Sequence, residues 1–153
     1  LLHELSQMSN PNHLRLTKLA LTTGFRRSEL LSLTWRNINL EKNTIYVQRK
    51  ECAARGRSSS MRMAPLPHKA KDLLRSFKNK EGKIINLTEG SARNGFERAR
   101  KKAGLETLRF HDLRHIAISR MWSNGMNALE ISACSGHKNI KMLMRYSHYF
   151  LST

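Results

Sequence analysis

Arginine, histidine and tyrosine side chains are concentrated in three short segments of the sequence. The segments are TGFRRSEL, which ends at Leu30, HDLRH at residues 111–115, and SGHKNIKMLMRYSH at residues 135–148. A guanidinium group stays charged and presents a planar fork to phosphate oxygens, which suits the charge that develops during phosphoryl transfer. A tyrosine hydroxyl can be the nucleophile if a neighbour accepts its proton or nearby cations stabilise the phenolate. These segments therefore point to chemistry on a phosphate ester.

The segment HDLRH contains two spacings that have a meaning on a helix. His111 and Arg114 are three residues apart, which places them on one helix face, so both side chains could reach the same phosphate. His111 and His115 are four residues apart, which is also a spacing of metal ligands on helices. Because the sequence has no HExxH motif, CxxC motif or acidic cluster to complete such a site, we predict no metal site and a structural role for His115.

The composition of the chain is strongly basic. There are 28 Lys and Arg residues against 11 Asp and Glu residues, which gives a formal net charge of +17. A field of this size attracts polyanions, so nucleic acid is the expected partner, but charge alone also fits an RNA-binding or ribosomal-type module or a membrane-surface binder. The chain has no apolar run of about 18 residues and no signal-peptide pattern, which predicts a soluble intracellular protein. Cys52 and Cys134 are too few for a disulfide framework.

Hydrophobic periodicity and turn residues predict a mainly helical α+β domain. Pro11 and Gly24 mark the ends of a first helix, and a second helix is predicted to begin near Ser28. β-Branched and aromatic residues at 44–48, followed by residues 60–64, predict a β-hairpin. Further helices are predicted around residues 70–77, over 91–103, and as three helices between 110 and 149 that break at 124–125 and 135–136.

The predicted core includes apolar and aromatic residues from most of these elements. In the last part of the chain the core candidates are Ile116, Ile118, Met121, Leu129 and Ile131. The aromatic residues Tyr46, Trp35 and Trp122 are predicted to pack in the core rather than to stack on bases. Cys134 is predicted to be a small core residue.

Taken together and in this order, the three segments resemble the tyrosine recombinase (phage integrase) family. The resemblance runs from about Asn12 to His148, which is nearly the whole chain. It implies a tyrosine recombinase catalytic-domain-like fold, α+β and mainly α-helical, with a small antiparallel β-hairpin sheet. We therefore expect residues 1–153 to be a single catalytic domain and a fragment of a longer chain, with the N-terminal DNA-clamping domain of the family absent.

The resemblance assigns catalytic roles to individual residues. In the first segment Arg26 matches the first catalytic arginine, and Glu29 matches the acidic residue that supports the active site. In the second segment His111 and Arg114 match the catalytic histidine and the second catalytic arginine. In the third segment His137 matches the family's histidine and Tyr146 matches the nucleophile. Tyr149 is a rival nucleophile, but the interval of nine residues after His137 favours Tyr146.

The resemblance also implies the reaction. Tyr146 would attack a DNA phosphate, form a 3′-phosphotyrosyl bond and release a 5′-hydroxyl, and this bond conserves the ester energy, so no metal, ATP or other cofactor is expected. Arg26 and Arg114 would bind the phosphate. His111 and His137 are the candidates for assisting the phenol.

A lysine on the hairpin is the remaining catalytic group that the family implies, and it protonates the leaving 5′-oxygen. Lys50 is the only lysine between Lys42 and Lys69, so the resemblance assigns the role to Lys50. The sequence departs from the family here, because the short lysine-glycine turn often seen is replaced by KECAARGR.

Double-stranded DNA is the implied partner, and the joining of two duplexes implies a homo-oligomer, a tetramer on DNA. The basic helix at 91–103 is predicted to contact the DNA backbone, although such a cluster can also be a solvated helix face; its basic residues are Arg93, Arg98, Arg100, Lys101 and Lys102. The expected location is cytoplasmic and nucleoid-associated, and the expected context is a mobile element.

Two other functions are compatible with the same segments. One is a non-catalytic DNA-binding module that keeps the fold, and the other is a type IB topoisomerase-like enzyme that relaxes DNA. A competent residue fills every catalytic position, which favours an enzyme, and the spacing of the segments is more similar to that of integrases. We therefore predict a site-specific DNA recombinase, without a prediction of its DNA site or of whether it integrates, excises or resolves DNA.

Overall fold

A computed structural model describes residues 1–48 and 60–146 of the chain. The α-helices are α1 (Leu2–Ser6), α2 (Asn12–Thr23), α3 (Arg27–Ser32), α4 (His68–Arg75), α5 (Glu89–Lys102), α6 (Phe110–Ser123) and α7 (Ala128–Ser135). The strands are β1 (Ile38–Asn39), β2 (Thr44–Gln48) and β3 (Met61–Pro65). The chain also forms two 3-10 segments, Trp35–Asn37 and Ile140–Tyr146. The fold is therefore mainly helical with a small sheet, as the sequence predicts.

The predicted β-hairpin belongs to a sheet that, over the residues described, has three antiparallel strands in the order β1-β2-β3. Ile45 pairs with Ala64 and Val47 with Arg62, and all four are buried. Tyr46 lies between Ile45 and Val47 and is 46% exposed, so the prediction that it belongs to the core is wrong. The reason is the pleat of the strand, which turns successive side chains to opposite faces.

The observed helices follow the predicted ones closely, with three differences. Helix α1 has no counterpart among the predicted elements. The third helix predicted near the C-terminus is a 3-10 segment that ends the described part of the chain at Tyr146. Leu129 is 68% exposed, so its assignment to the core is wrong. Its neighbour Ile131 is fully buried instead, because residues two apart on a helix point about 200° from each other.

The core consists of two clusters that meet at α6. The larger cluster contains residues of α2, α3, the sheet, α4 and α5, and the smaller one contains residues of α6, α7 and the last 3-10 segment. Leu113 belongs to the larger cluster, whereas Ile118 and Trp122 belong to the smaller. Helix α6 thereby joins the two halves of the core. No helix within residues 1–48 and 60–146 is long and apolar enough to cross a membrane.

Gly24 forms the tight corner between α2 and α3. Its φ of 69° is in the left-handed region, where a residue with a side chain is strained, and its N–H donates to the carbonyl oxygen of Ala20. A Cβ atom at this position would lie 3.6 Å from Cβ of Ala117, so α6 packs closely against the corner. Because Arg26 follows two residues later, the corner brings the start of α3 next to α6.

Candidate active site

Arg114, on α6, connects the three segments that the sequence singles out. It is 3% exposed, and its Nη1 donates hydrogen bonds to the carbonyl oxygens of Gly24 and Ser135, each at 2.7 Å. One guanidinium group thus joins the first and third sequence segments to the second. Burial is the main cause that lowers the pKa of Arg114 to about 10, and the positive charge of Arg26 lowers it further. Arg114 remains a cation at neutral pH.

Arg26 approaches the same region from the start of α3. Its side chain is 40% exposed, and its Nη1 lies 3.5 Å from Oε1 of Glu29. Glu29 is buried, and its Oε2 accepts a hydrogen bond of 2.8 Å from the backbone N–H of Arg26. This contact caps α3 in the manner of a capping box. Glu29 therefore positions Arg26 through both its backbone and its side chain.

The two arginines predicted to bind one phosphate open onto the same pocket. Arg26, Arg114 and His111 line it, and its volume is about 340 Å³. The other residues of its wall are Phe25, Arg27, Ser28, Glu89, Arg109 and Phe110. Arg27 pairs with Glu89 at 3.2 Å, so the rim carries both signs of charge. The pocket is open, cationic at its base, and large enough for a phosphate group.

His137 is held directly beside Arg114. Nη2 of Arg114 lies 3.1 Å from Nδ1 and 3.3 Å from Nε2 of His137, and Ser135 Oγ lies 2.7 Å from Nδ1. Ser135 already donates its only hydroxyl proton to the carbonyl oxygen of Ile131, so Nδ1 of His137 must donate to Ser135 and Nε2 is left to accept from Arg114. Both ring nitrogens are therefore in use.

Burial and positive charge keep His137 neutral. Burial is the largest cause that lowers the pKa of His137 to about 4, and the charges of Arg114, Arg26 and Arg145 and the nearby His111 add to the shift. The ring is therefore uncharged at neutral pH. As a neutral group it can accept a hydrogen bond from Arg114 without repelling it.

His111 and His115 lie side by side on α6. Their ring centroids are 5.0 Å apart with the planes nearly perpendicular. His111 is an exposed residue that lines the pocket. Partial burial of its ring is the largest cause that lowers the pKa of His111, followed by the charges of His115, Arg114 and Arg26. Among the residues that the structure describes, no three His, Cys, Asp or Glu side chains form a group that could hold a metal ion.

Tyr146 reaches the site from the last 3-10 segment. It is 6% exposed and packs in the smaller core cluster with Ile118 and Leu143. Its hydroxyl group hydrogen-bonds to Nδ1 of His115, with ring centroids 5.7 Å apart. Tyr146 is also near enough to Arg114 for a phenolate to raise the pKa of that guanidinium. The predicted nucleophile therefore lies near Arg114 and contacts His115, a histidine that the sequence predicts to have a structural role.

Arg62, on β3, is a site residue that the sequence analysis missed. Its guanidinium is buried, donates to the carbonyl oxygens of Ala133 and Cys134 at 3.3 and 3.2 Å, and lies 3.7 Å from Oε2 of Glu29. It thus ties the sheet to the two segments that carry Arg26 and His137. The signal in the sequence was an arginine at an inward position of a predicted strand, where a buried charge requires partners.

A methyl group at Gly136 should strain the contact between Arg62 and the end of α7. Gly136 has φ of 77°, and a Cβ atom would lie 2.6 Å from Cζ of Arg62. We expect Gly136→Ala to lower the free energy of unfolding by about 1–3 kcal/mol, as judged by urea denaturation. Gly125→Ala is the matched control, because Gly125 also has a positive φ, 84°, but no atom within 4 Å of a Cβ. Equal losses in both variants would contradict a role for the Arg62 contact.

The five basic residues predicted to contact DNA are spread around α5 rather than aligned. Arg93, Arg98, Lys101 and Lys102 are exposed, and Arg100 is half-buried with Nη1 donating to the carbonyl oxygen of Glu106. Lys102 pairs with Glu4 of α1 at 3.2 Å. The pocket residue Glu89 is at the first turn of α5, so Arg93 is about 6 Å from it along the helix axis and Lys102 about 20 Å. Arg93 is the member of the set nearest to the pocket.

Lys50, the predicted general acid, lies outside the described residues, as do Cys52 and Tyr149. The described ends of β2 and β3, Gln48 and Met61, pair with each other. Arg62 follows Met61 directly and contacts Glu29, so the described ends of these strands lie close to the candidate site.

The lowered histidine pKa values predict that the protein loses stability in mild acid. His137 has a pKa of about 4 when folded against about 6.5 when unfolded, so the unfolded chain binds more protons between these values. The free energy of unfolding should therefore fall as the pH decreases from 6.5 towards 4. Urea denaturation at pH 7.5, 6.0 and 5.0 would measure this, with a weaker dependence expected in His137→Gln. Stability that rises on acidification would contradict the assignment.

Comparison with known proteins identifies the family. The chain matches the model of the Phage integrase family over residues 1–151. It is 35% identical over 132 residues to a shufflon-specific DNA recombinase of Escherichia coli (85% of this chain, 33% of the relative). It is 32% identical over 137 residues to tyrosine recombinase XerA of Saccharolobus solfataricus (88% of this chain, 45% of the relative).

A solved structure supports the same assignment. The catalytic domain of bacteriophage HP1 integrase superimposes with a TM-score of 0.69 at 29% identity, covering 97% of this chain and 81% of that one. The chain spans between a third and a half of the length of the two curated relatives, which matches a domain of a larger protein in each of them. The ordered set of segments, the fold and these similarities agree: the chain belongs to the phage integrase family.

Proposed function

We propose that residues 1–153 form the catalytic domain of a site-specific DNA recombinase that cleaves and rejoins duplex DNA through a covalent bond between Tyr146 and a backbone phosphate. The observation that supports this most is the convergence of three distant segments around Arg114. Arg26 and Arg114 face one pocket, and His137 and Tyr146 lie next to Arg114. Membership of the phage integrase family supports the same reaction.

In the proposed reaction a DNA phosphate enters the pocket and is bound by two guanidinium groups. Arg114 is held rigidly by two carbonyl oxygens, whereas Arg26 is partly exposed and can meet the phosphate from the solvent side. Preorganised cations of this kind stabilise the charge on the phosphate oxygens as it grows in the transition state. Their preorganisation avoids the cost of rearranging the site during the reaction.

Bond formation and cleavage would then occur at one phosphorus atom. Oη of Tyr146 gives up its proton to a histidine of the site and forms a bond to phosphorus, the bond from phosphorus to the 5′-oxygen breaks, and the DNA end remains attached as a 3′-phosphotyrosine. The leaving 5′-oxygen takes a proton, and Lys50 is the residue that we propose as its donor. Attack by a 5′-hydroxyl on the phosphotyrosine reverses these steps and rejoins the DNA, so no further energy source is needed.

The proposed DNA interface extends from the pocket along the basic surface. Arg93, one helical turn from Glu89, is the first candidate for a neighbouring phosphate, and Arg98, Arg100, Lys101 and Lys102 would contact more distant ones. Contacts of this kind position a protein on DNA without reading the sequence. Exchange of strands between two duplexes requires several active sites, so we propose a tetramer on DNA and a nucleoid-associated location in the cytoplasm.

Removing the charge of Glu89 should strengthen DNA binding. Oε1 of Glu89 lies 3.3 and 3.2 Å from Nε and Nη2 of Arg27 on the rim of the pocket, where a carboxylate repels an incoming phosphate and occupies a cation. We expect Glu89→Gln to raise the affinity for duplex DNA about two- to five-fold at low salt, the range of an exposed ion pair. Fluorescence anisotropy over a salt series would measure it.

The matched control for Glu89 is Glu41→Gln, an exposed glutamate at the turn before β2. For all variants the logarithm of the affinity should fall with the logarithm of the salt concentration, by about 0.9 for each phosphate neutralised. Weaker binding by Glu89→Gln, or a gain of the same size in Glu41→Gln, would contradict the proposed interface.

Covalent capture of DNA tests the proposed function. The protein is mixed with nicked duplex fragments from the DNA that flanks its gene, so that cleavage releases a short strand and traps the complex. The expected result is an adduct that resists detergent and yields a phosphotyrosyl peptide containing Tyr146. Binding without any adduct would indicate a non-catalytic DNA-binding module. Adducts accompanied by plasmid relaxation, without joining of two duplexes, would indicate a topoisomerase-like enzyme.

A further inference from the structure

Helix α6 presents three polar side chains on one stripe towards the site. His111, Arg114 and His115 are related by spacings of three and four residues, so they are neighbours on one face of the helix. Arg114 and His111 line the phosphate pocket. The ring of His115 lies 5.0 Å from that of His111, and its Nδ1 is hydrogen-bonded to the hydroxyl of Tyr146.

We propose that His115 is the proton acceptor for Tyr146: its Nδ1 takes the phenolic proton while Oη of Tyr146 forms the bond to phosphorus. This inference rests on the proposed function and adds to it the residue that activates the nucleophile. In the step, the O–H bond of the phenol breaks, an N–H bond forms on His115, and the bond to the 5′-oxygen breaks. The electron pair leaves with the 5′-oxygen, which takes its own proton from a separate donor.

The neutral state of His115 suits this role. Burial lowers the pKa of His115, Asp112 opposes the shift, and the charges of Arg145, Arg114 and Arg109 add to it. The neutral ring with its proton on Nε2 has a lone pair on Nδ1 and can accept from the phenol. Asp112, three residues earlier on α6, then stabilises the imidazolium that forms.

The other histidine close to Arg114 is poorly placed for the same task. Nδ1 of His137 donates to Ser135 and its Nε2 accepts from Arg114, so neither nitrogen has a lone pair directed to the phenol. Its pKa of about 4, lowered by burial and by Arg114, also makes it a weak base. His137 is better suited to holding Arg114 in position. His111 faces the pocket, where a phosphate would be its neighbour.

The first test is the rate of the covalent step in a single turnover, measured on the nicked duplex that traps the wild-type protein. We expect His115→Asn, which keeps an amide oxygen to accept a hydrogen bond but cannot take up a proton at neutral pH, to slow cleavage by about 10²–10⁴-fold. DNA binding should be unchanged. His115→Gln is measured in parallel, with thermal unfolding of both, and His68→Asn is the control at an exposed histidine of α4.

The pH dependence separates a base from a structural residue. The wild-type rate should rise with pH to a plateau with a midpoint below 6.5, the usual histidine value, and the His115 variants should lack this rise. The titratable and charged groups around His115 are His111, Asp112, Arg109, Arg114, Arg145 and Tyr146. A midpoint that persists in a folded His115 variant would overturn the proposal.

A substrate with sulfur in place of the bridging 5′-oxygen separates the base from the acid. A thiolate leaves without protonation, so this substrate restores the rate of an enzyme that lacks its acid and not of one that lacks its base. We expect His115→Asn to remain equally slow relative to wild type on it. Restored cleavage of this substrate by His115→Asn, or cleavage of the ordinary duplex by His115→Asn at the wild-type rate, would refute the role of His115. Adduct formation at Tyr146 would continue in both cases, so the proposed function would not be refuted. A wild-type protein that forms no adduct would refute both proposals.

Discussion

Tyr146→Phe is expected to abolish the covalent adduct with nicked DNA, with a loss of cleavage on the order of 10⁴-fold or more, as for removal of other catalytic nucleophiles. The substitution deletes Oη and leaves a ring that can still pack with Ile118 and Leu143 in the smaller core cluster. The hydrogen bond to His115 is also lost, at a cost of about 1 kcal/mol in stability. DNA affinity should be unchanged, because the cations of the pocket remain.

The control for this variant is Tyr149→Phe, at the rival tyrosine in the sequence. It should form the adduct at the wild-type rate, and the phosphotyrosyl peptide recovered from it should still map to Tyr146. The measurement is the fraction of labelled DNA that stays with the protein in detergent. Equal trapping by Tyr146→Phe and the wild type, or loss of trapping in Tyr149→Phe alone, would show that the nucleophile is misassigned.

Arg26 and Arg114, which we propose bind the phosphate, should respond differently to replacement by lysine. Each substitution should slow cleavage by about 10²–10³-fold, because a lysine ammonium cannot present two donors in a plane to the phosphate. Arg114→Lys should also lower the free energy of unfolding by about 1–3 kcal/mol, since the buried carbonyl oxygens of Gly24 or Ser135 lose a donor. Arg26→Lys should change it by less than about 0.5 kcal/mol, because this side chain is 40% exposed.

This contrast is measured by urea denaturation beside single-turnover cleavage of the same preparations. Glu29 still caps α3 through the backbone N–H of residue 26 in the Arg26→Lys variant, so its fold should be intact. Wild-type cleavage by either variant would contradict the shared phosphate site. Equal losses of stability in both variants would contradict the expectation that Arg114 also stabilises the fold whereas Arg26 does not.

Positive charge around the pocket explains several properties of the site together. His111, His115 and His137 all have pKa values below the usual histidine value, because each is partly buried and each is close to arginines. Histidines that stay neutral can accept protons or hydrogen bonds without adding to the repulsion between the cations. The same arginines would attract a phosphate, so binding of DNA would relieve that repulsion.

Local patterns in the sequence predicted the secondary structure well. The helical spacing within HDLRH, Pro11 and Gly24 at the ends of α2, and the strand pattern at residues 44–48 depend on neighbours a few residues away, and the structure agrees with all three. The two core assignments that failed, Tyr46 and Leu129, concern which face of an element meets the core. Periodicity identifies two faces, but only packing against other elements decides which one is buried.

The order and identity of the three segments were enough to predict the family, the cationic character of the site and the candidate site residues. Their convergence is a property of the tertiary structure, because Arg114 meets Gly24 and Ser135 only after α6 packs between the corner of α3 and the end of α7. The same packing decides that Tyr146 bonds to His115 and that Arg62 of β3 reaches Glu29. Contacts between residues far apart in the chain depend on how whole helices and strands pack, and short-range spacing carries no information about that packing.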